Sequence, residues 1–170
     1  MKEKNKKIFA IISLAVCMLI GYWLWLSLRP VEVVAVHQEN NYSDVLVKNF
    51  PFTTQGKINW WSKNKKMLKE KYGIPKPAAY GSFTIIFWYF GDGYKEEGKY
   101  DRLCFYDMKE KENCIEKERA LEVSYSKSMG TTFTVHDGIY RIGSKGEIIK
   151  NHPDQACLSC GNLQKAFAQP

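Results

Sequence analysis

The side chains in this 170-residue chain that could do chemistry are five cysteines, three histidines and a scatter of carboxylates. Cys157-Leu158-Ser159-Cys160 is a C-x-x-C. Such a pair acts as a thiol–disulfide redox centre when it opens a helix that follows a strand, because the helix N-terminus lowers the thiol pKa. Pro153-Asp154-Gln155-Ala156 does not supply that strand. Zinc is the second option, with His152 as a third ligand, but a structural zinc takes four protein ligands and no second pair stands nearby. A local disulfide or two free thiols is the plainer reading. Cys104 falls in an expected strand and Cys114 begins the next element. A hairpin would bring those two together, and closing a loop of about ten residues would contribute about 2–3 kcal/mol by loop entropy. Four cysteines allow three pairings. Cys104–Cys114 is the favoured pair, with two separate buried thiols as the alternative, and Cys157 and Cys160 complete the set of disulfide candidates.

His37, His136 and His152 form no metal or triad spacing with their sequence neighbours. His136 precedes a hairpin turn, where an exposed structural role is expected. Asp92, Asp101 and Asp107 read as acids at turns or strand edges. There is no G-x-S-x-G and no H-E-x-x-H. Gly91-Asp92-Gly93 is a turn signal rather than a phosphate loop, since the longer glycine pattern and the Lys-Ser/Thr end are missing. The residues therefore predict no enzyme, no cofactor, no metal site and no catalytic residue.

The elements that would position these side chains fall into two parts. Ile8–Leu28 runs 21 residues without a charge, and a helix of that length spans roughly 30 Å, the thickness of a bilayer's hydrocarbon core. Four lysines precede it and one arginine follows, so the positive-inside rule puts the N-terminus in the cytoplasm and the rest across the membrane. Tyr22, Trp23 and Trp25 sit where interfacial aromatic anchors are expected. The run is too long for a cleaved signal core, and Ser27-Leu28-Arg29-Pro30-Val31 offers no small-x-small cleavage site. Val16 before Cys17 does not fit a lipoprotein. An uncleaved signal anchor is predicted, with Cys17 a small apolar residue inside it. Of the net charge of +7, residues 1–30 hold five basic side chains and one acidic, leaving 20 and 17 for the remainder. The basic excess is thus mostly a topology signal, and nucleic acid is not an expected partner.

Beyond the anchor, Val31–Val36 and Tyr42–Phe50 read as two strands pairing as a hairpin. Thr53-Thr54-Gln55-Gly56 reads as a loop. Lys57–Tyr72 carries helical apolar spacing, with Gly73 as its stop and Pro75 and Pro77 beyond. Trp60 and Trp61 are expected core anchors rather than a ligand platform, with Phe87 of the apolar strand Ser82–Phe90, and the lysine run is expected to be solvated. Arg102–Tyr106, Cys114-Ile115, Leu121–Tyr125, Thr131–His136, Ile139–Ile142 and Glu147–Lys150 continue as strands, with Asp137-Gly138 as a two-residue hairpin turn. The expected class is α+β: an N-terminal transmembrane helix, then a small domain with an antiparallel sheet and one main amphipathic helix. The expected division is 1–7 cytoplasmic, 8–28 membrane anchor, 29–150 folded domain and 151–170 flexible tail.

Arg29–Gln38 (RPVEVVAVHQ), Val45–Thr53 (VLVKNFPFT), Lys57–Trp61 (KINWW), Lys71–Pro77 (KYGIPKP), Phe90–Tyr94 (FGDGY), Asp101–Asp107 (DRLCFYD), Asn113–Lys117 (NCIEK) and Met129–Gly138 (MGTTFTVHDG) resemble, in order, the enterobacterial family of domain of unknown function 943. The resemblance covers roughly residues 1–150 and stops before the C-x-x-C. It implies a small inner-membrane protein with no assigned activity, carries over no catalytic residue, and supports both the anchor and the Cys104/Cys114 pair. The function expected is a single-pass inner-membrane protein with a periplasmic domain that binds another protein. Its most concrete form is an immunity protein that neutralises a toxin acting in the periplasm. The alternatives are an accessory subunit that contacts a complex through Ile8–Leu28, and a tethered thiol-redox factor using Cys157 and Cys160. The bilayer, through residues 8–28, and a protein in the periplasm are the partners expected.

Overall fold

The apolar residues obey two periods, and the fold follows from where one gives way to the other. A computed structural model describes residues 2–27 and 29–151, with side chains of the first helix at 6, 8, 9 and 11–25. The elements are α1 (Lys2–Ser27), β1 (Glu32–Glu39), β2 (Tyr42–Lys48), α2 (Thr54–Tyr72), β3 (Phe83–Tyr89), β4 (Lys95–Glu96), β5 (Arg102–Cys104), β6 (Glu112–Glu116), β7 (Arg119–Ser126), β8 (Gly130–Val135), β9 (Gly138–Ile142) and β10 (Ile148–Lys150).

Seven strands make one sheet in the order β1-β2-β3-β7-β8-β9-β10, and β4-β6-β5 make a small second sheet. The large sheet is antiparallel except at β2–β3, which run parallel with Val45 beside Phe87. The expected antiparallel sheet holds for every neighbouring pair but this one. A parallel pair needs a crossover, and α2 is that crossover, lying between β2 and β3 in the chain. The hairpin β1–β2 forms through Asn40-Asn41, with Asn40 at φ 52°.

The alternating residues of the central strands sort onto two faces. Val45, Val47, Ile85, Phe87, Leu121, Val123, Phe133 and Val135 form one core with Ile58, Trp61 and Leu68 of α2. Burying each such side chain is worth roughly 1.5–3 kcal/mol. On the opposite face Leu46, Phe105 and Ile115 form a second, smaller core, with Trp88, Leu103 and Tyr94 against it. The small sheet therefore covers the side of the large sheet that α2 does not.

Other boundaries differ by a few residues, for local reasons. The helix starts at Thr54 rather than Lys57, because the Thr53 side chain caps it by accepting from the Gly56 N–H at 3.0 Å. It ends where expected, with Gly73 at φ 71° donating its N–H to the Lys69 carbonyl. The β8–β9 turn is His136-Asp137, since Val135 pairs with Gly138, one residue earlier than Asp137-Gly138. Strand β4 carries too few residues for a pattern.

In α1 every described side chain is exposed. Among the described residues no helix is long and apolar enough to cross a membrane.

Candidate functional site at His37

A bulge in β1 sets up the one buried histidine among the described residues. Val33 and Val36 both face the α2 core although they are three apart, because the register slips by one residue between Val33 and Ala35. The slip turns the alternation over. Ala35 and His37 then point to the small-sheet side, opposite Leu46 and Asp44 of β2.

His37 is 9% exposed. Its Nδ1 lies 2.9 and 2.8 Å from the two carboxylate oxygens of Asp107, and its Nε2 lies 2.9 Å from the Tyr94 hydroxyl. A carboxylate only accepts, so Nδ1–H donates to Asp107 and a neutral ring leaves Nε2 to accept from Tyr94 O–H. Phe105 stacks on the imidazole at 3.8 Å, and Tyr94 meets it edge-on at 6.2 Å. Beside the ring is a hollow of about 350 Å³, lined in part by Glu39, Asp44, Cys104 and Tyr106. Burial raises the Asp44 pKa, against the Trp88 Nε1–H bond at 2.6 Å and nearby His37, which lower it. Burial first, then the Asp107 charge, raises the Tyr94 pKa.

Carboxylate, imidazole and hydroxyl thus stand in line, but the hydroxyl is the wrong one for attack. A phenol whose pKa is pushed up is a poorer nucleophile than an ordinary tyrosine. The geometry does something else well. It pins Tyr94, before β4, and Asp107, after β5, to β1 across 57 and 70 residues. The Cys104–Cys114 disulfide closes the same unit, joining directly opposed residues of β5 and β6. The site is a clamp that holds the small sheet to the large one.

The other sequence-singled residues lie elsewhere. Trp60, Trp61 and Phe50 meet around Phe87: Phe50 stacks on it at 5.3 Å, and Trp60 and Trp61 stand edge-on to it at 5.8 and 6.2 Å. Tyr22, Trp23 and Trp25 are exposed in the last third of α1, with Arg29 4.0 Å above the Trp25 ring. Cys17 is an exposed thiol. His136 is exposed. Asp92 and Asp101 stand outside the clamp, at ion pairs with Lys95 and Lys117. Cys157, Cys160 and His152, and so the C-x-x-C, redox and zinc readings, lie outside the described residues. Among the described residues no group of three or more His, Cys, Asp or Glu is placed to hold a metal. Sequence reasoning missed His37 as a buried partner; its only local signal is one polar residue in a β-branched run.

The profile of the family described as "Enterobacterial putative membrane protein (DUF943)" matches residues 2–152. The chain belongs to this family. The match takes in α1, both sheets, the clamp and the disulfide, and ends before the C-x-x-C. Family membership brings with it only that description, of unknown function, and assigns no residue a role. No curated protein and no solved structure matches the chain.

Proposed function

We propose that the chain is a single-pass inner-membrane protein whose residues 29–150 form a periplasmic domain that binds another protein. The observation that carries the reading is α1. Its large apolar side chains from Ile8 to Trp25 are 46–72% exposed, on every side of the helix. An apolar helix whose described side chains are exposed all round calls for an apolar surround. The uncharged run Ile8–Leu28 lies almost wholly within this helix, which favours a span, and the flanking lysines favour a cytoplasmic N-terminus. The disulfide fits an oxidising compartment.

The binding part draws on a groove of about 680 Å³ between α2 and the sheet. Trp61, Phe83, Phe133 and Ile142 give it an apolar floor, and Lys65, Lys66 and Lys69 a basic rim. That combination suits an acidic segment with apolar anchors. An immunity protein for a periplasmic toxin is its most concrete form.

Two measurements test the binding part and a third tests the topology. A photo-crosslinking residue at Lys65 should trap a protein partner in cells, and deletion of the gene should sensitise cells to a toxin encoded beside it. No adduct together with no sensitisation sinks the binding reading. A reporter fused after Pro170 that is active only in the cytoplasm overturns the topology.

A further inference from the structure

Phe52 is 81% exposed. Among the described residues of the folded domain only Tyr106, at 82%, shows more of a large apolar side chain, and Tyr106 carries a hydroxyl. Phe52 stands between β2 and α2, and topology fixes which end of the domain that is. β2 finishes at Lys48, paired with Glu32 at the start of β1. Asn49 Nδ2–H donates to the Pro30 carbonyl at 3.4 Å, holding the loop to the residue that enters the domain. Pro30 is three residues beyond Ser27, the end of α1, and three residues reach at most roughly 10 Å. Phe52 also shares one hollow of about 610 Å³ with Trp23, Arg29, Trp60 and Met67. With α1 as a membrane tether, Phe52 would stand at the level of the lipid headgroups.

We propose that the Asn49–Thr53 loop is a second membrane contact, with Phe52 entering the interfacial layer of the bilayer beside Trp23 and Arg29. This inference rests on the membrane tether proposed above. A phenyl ring held there leaves water for the acyl boundary without disturbing the core. Two contacts, one through α1 and one through Phe52, fix the tilt of the domain, so that its opposite end faces away from the membrane.

The test uses the full chain in vesicles of phosphatidylethanolamine and phosphatidylglycerol. Cys17→Ala, Cys157→Ser and Cys160→Ser leave the Cys104–Cys114 bridge intact, and Phe52→Cys then carries a fluorescent probe sensitive to polarity. Tyr80→Cys is the control. Tyr80 precedes β3, whose start lies beside Tyr42, at the far end of β2. That end is about 20 Å from Lys48 at the strand rise. Lipids brominated near the headgroup should quench the probe at position 52 about two-fold, as expected for a side chain at the interface, and leave position 80 unchanged. Equal quenching at the two positions overturns the contact. Alkaline extraction of the same vesicles separates the two readings. A chain that stays with the lipid while position 52 is unquenched loses the loop contact alone, and a chain that washes off loses the tether and the contact together.

Discussion

At the scale of single residues, His37 holds three groups at once, and removing it leaves two of them stranded. His37→Ala strips Asp107 and Tyr94 of their partner and unstacks Phe105. We expect a loss of about 2–3 kcal/mol in urea unfolding, against about 1 kcal/mol for Tyr94→Phe, which deletes one hydrogen bond. A His37→Ala protein as stable as the parent would remove the clamp. Asp44 gives a pH signature. Its raised pKa, caused first by burial, means that the folded state holds the proton more tightly than the unfolded chain. Stability then falls as pH rises from the unfolded pKa to the folded one, and the deficit persists above both. Asn never ionises, so Asp44→Asn should melt higher than the parent at pH 7 and lose that advantage near pH 3. Thermal unfolding at both values decides it. Neither residue was legible as a site. Counting by twes from Val33 would put His37 in the α2 core, and only the bulge, which leaves no mark in the sequence, sends it to the other face.

At the scale of elements, α2 and the small sheet depend on devices that differ in origin. The Thr53 cap is local, so Thr53→Ala should lower stability by about 1 kcal/mol with the sheet unchanged, read by circular dichroism during urea unfolding. The disulfide is a constraint on the unfolded chain. Cys104→Ser with Cys114→Ser should lose about 2–3 kcal/mol relative to the oxidised parent, and nothing further when reductant is added. Helix α2 and the strands were readable because their apolar residues keep a 3.6 or a 2 period, and Gly73 marks a stop that only a residue tolerant of positive φ makes cheaply. The parallel β2–β3 pair was not readable. Val45 and Phe87 are adjacent across 42 residues of chain, and no local pattern states which strand a buried strand will choose. The three residues of the clamp share that difficulty, since each sits in a different segment.

At the scale of the whole molecule, α1 and the folded domain can be exchanged separately under the proposed function. Replacing residues 8–28 by an unrelated membrane anchor should leave partner capture by the domain unchanged, measured by crosslinking from position 65. An accessory subunit that works through α1 would lose its partner in the same exchange. The uncharged run Ile8–Leu28 is the plainest signal in the sequence, being 21 residues long. The groove was not legible there, because its floor joins Trp61 of α2 to Phe83, Phe133 and Ile142 of three strands.

The small sheet has a consequence for how this domain can change size. β3 and β7 are neighbours in the large sheet, and the Tyr89 N–H donates to the Glu118 carbonyl at 3.0 Å where the chain leaves and rejoins it. Residues 90–117 are thus an excursion whose two ends already touch. Chain added within its exposed turns does not shift the register of any large-sheet strand. The entropy of closing a longer flexible excursion grows only logarithmically, about 0.6 kcal/mol for each doubling. The domain accordingly has a built-in insertion point, at which a larger or different subdomain could replace the small sheet as long as it still covers Leu46 and Trp88.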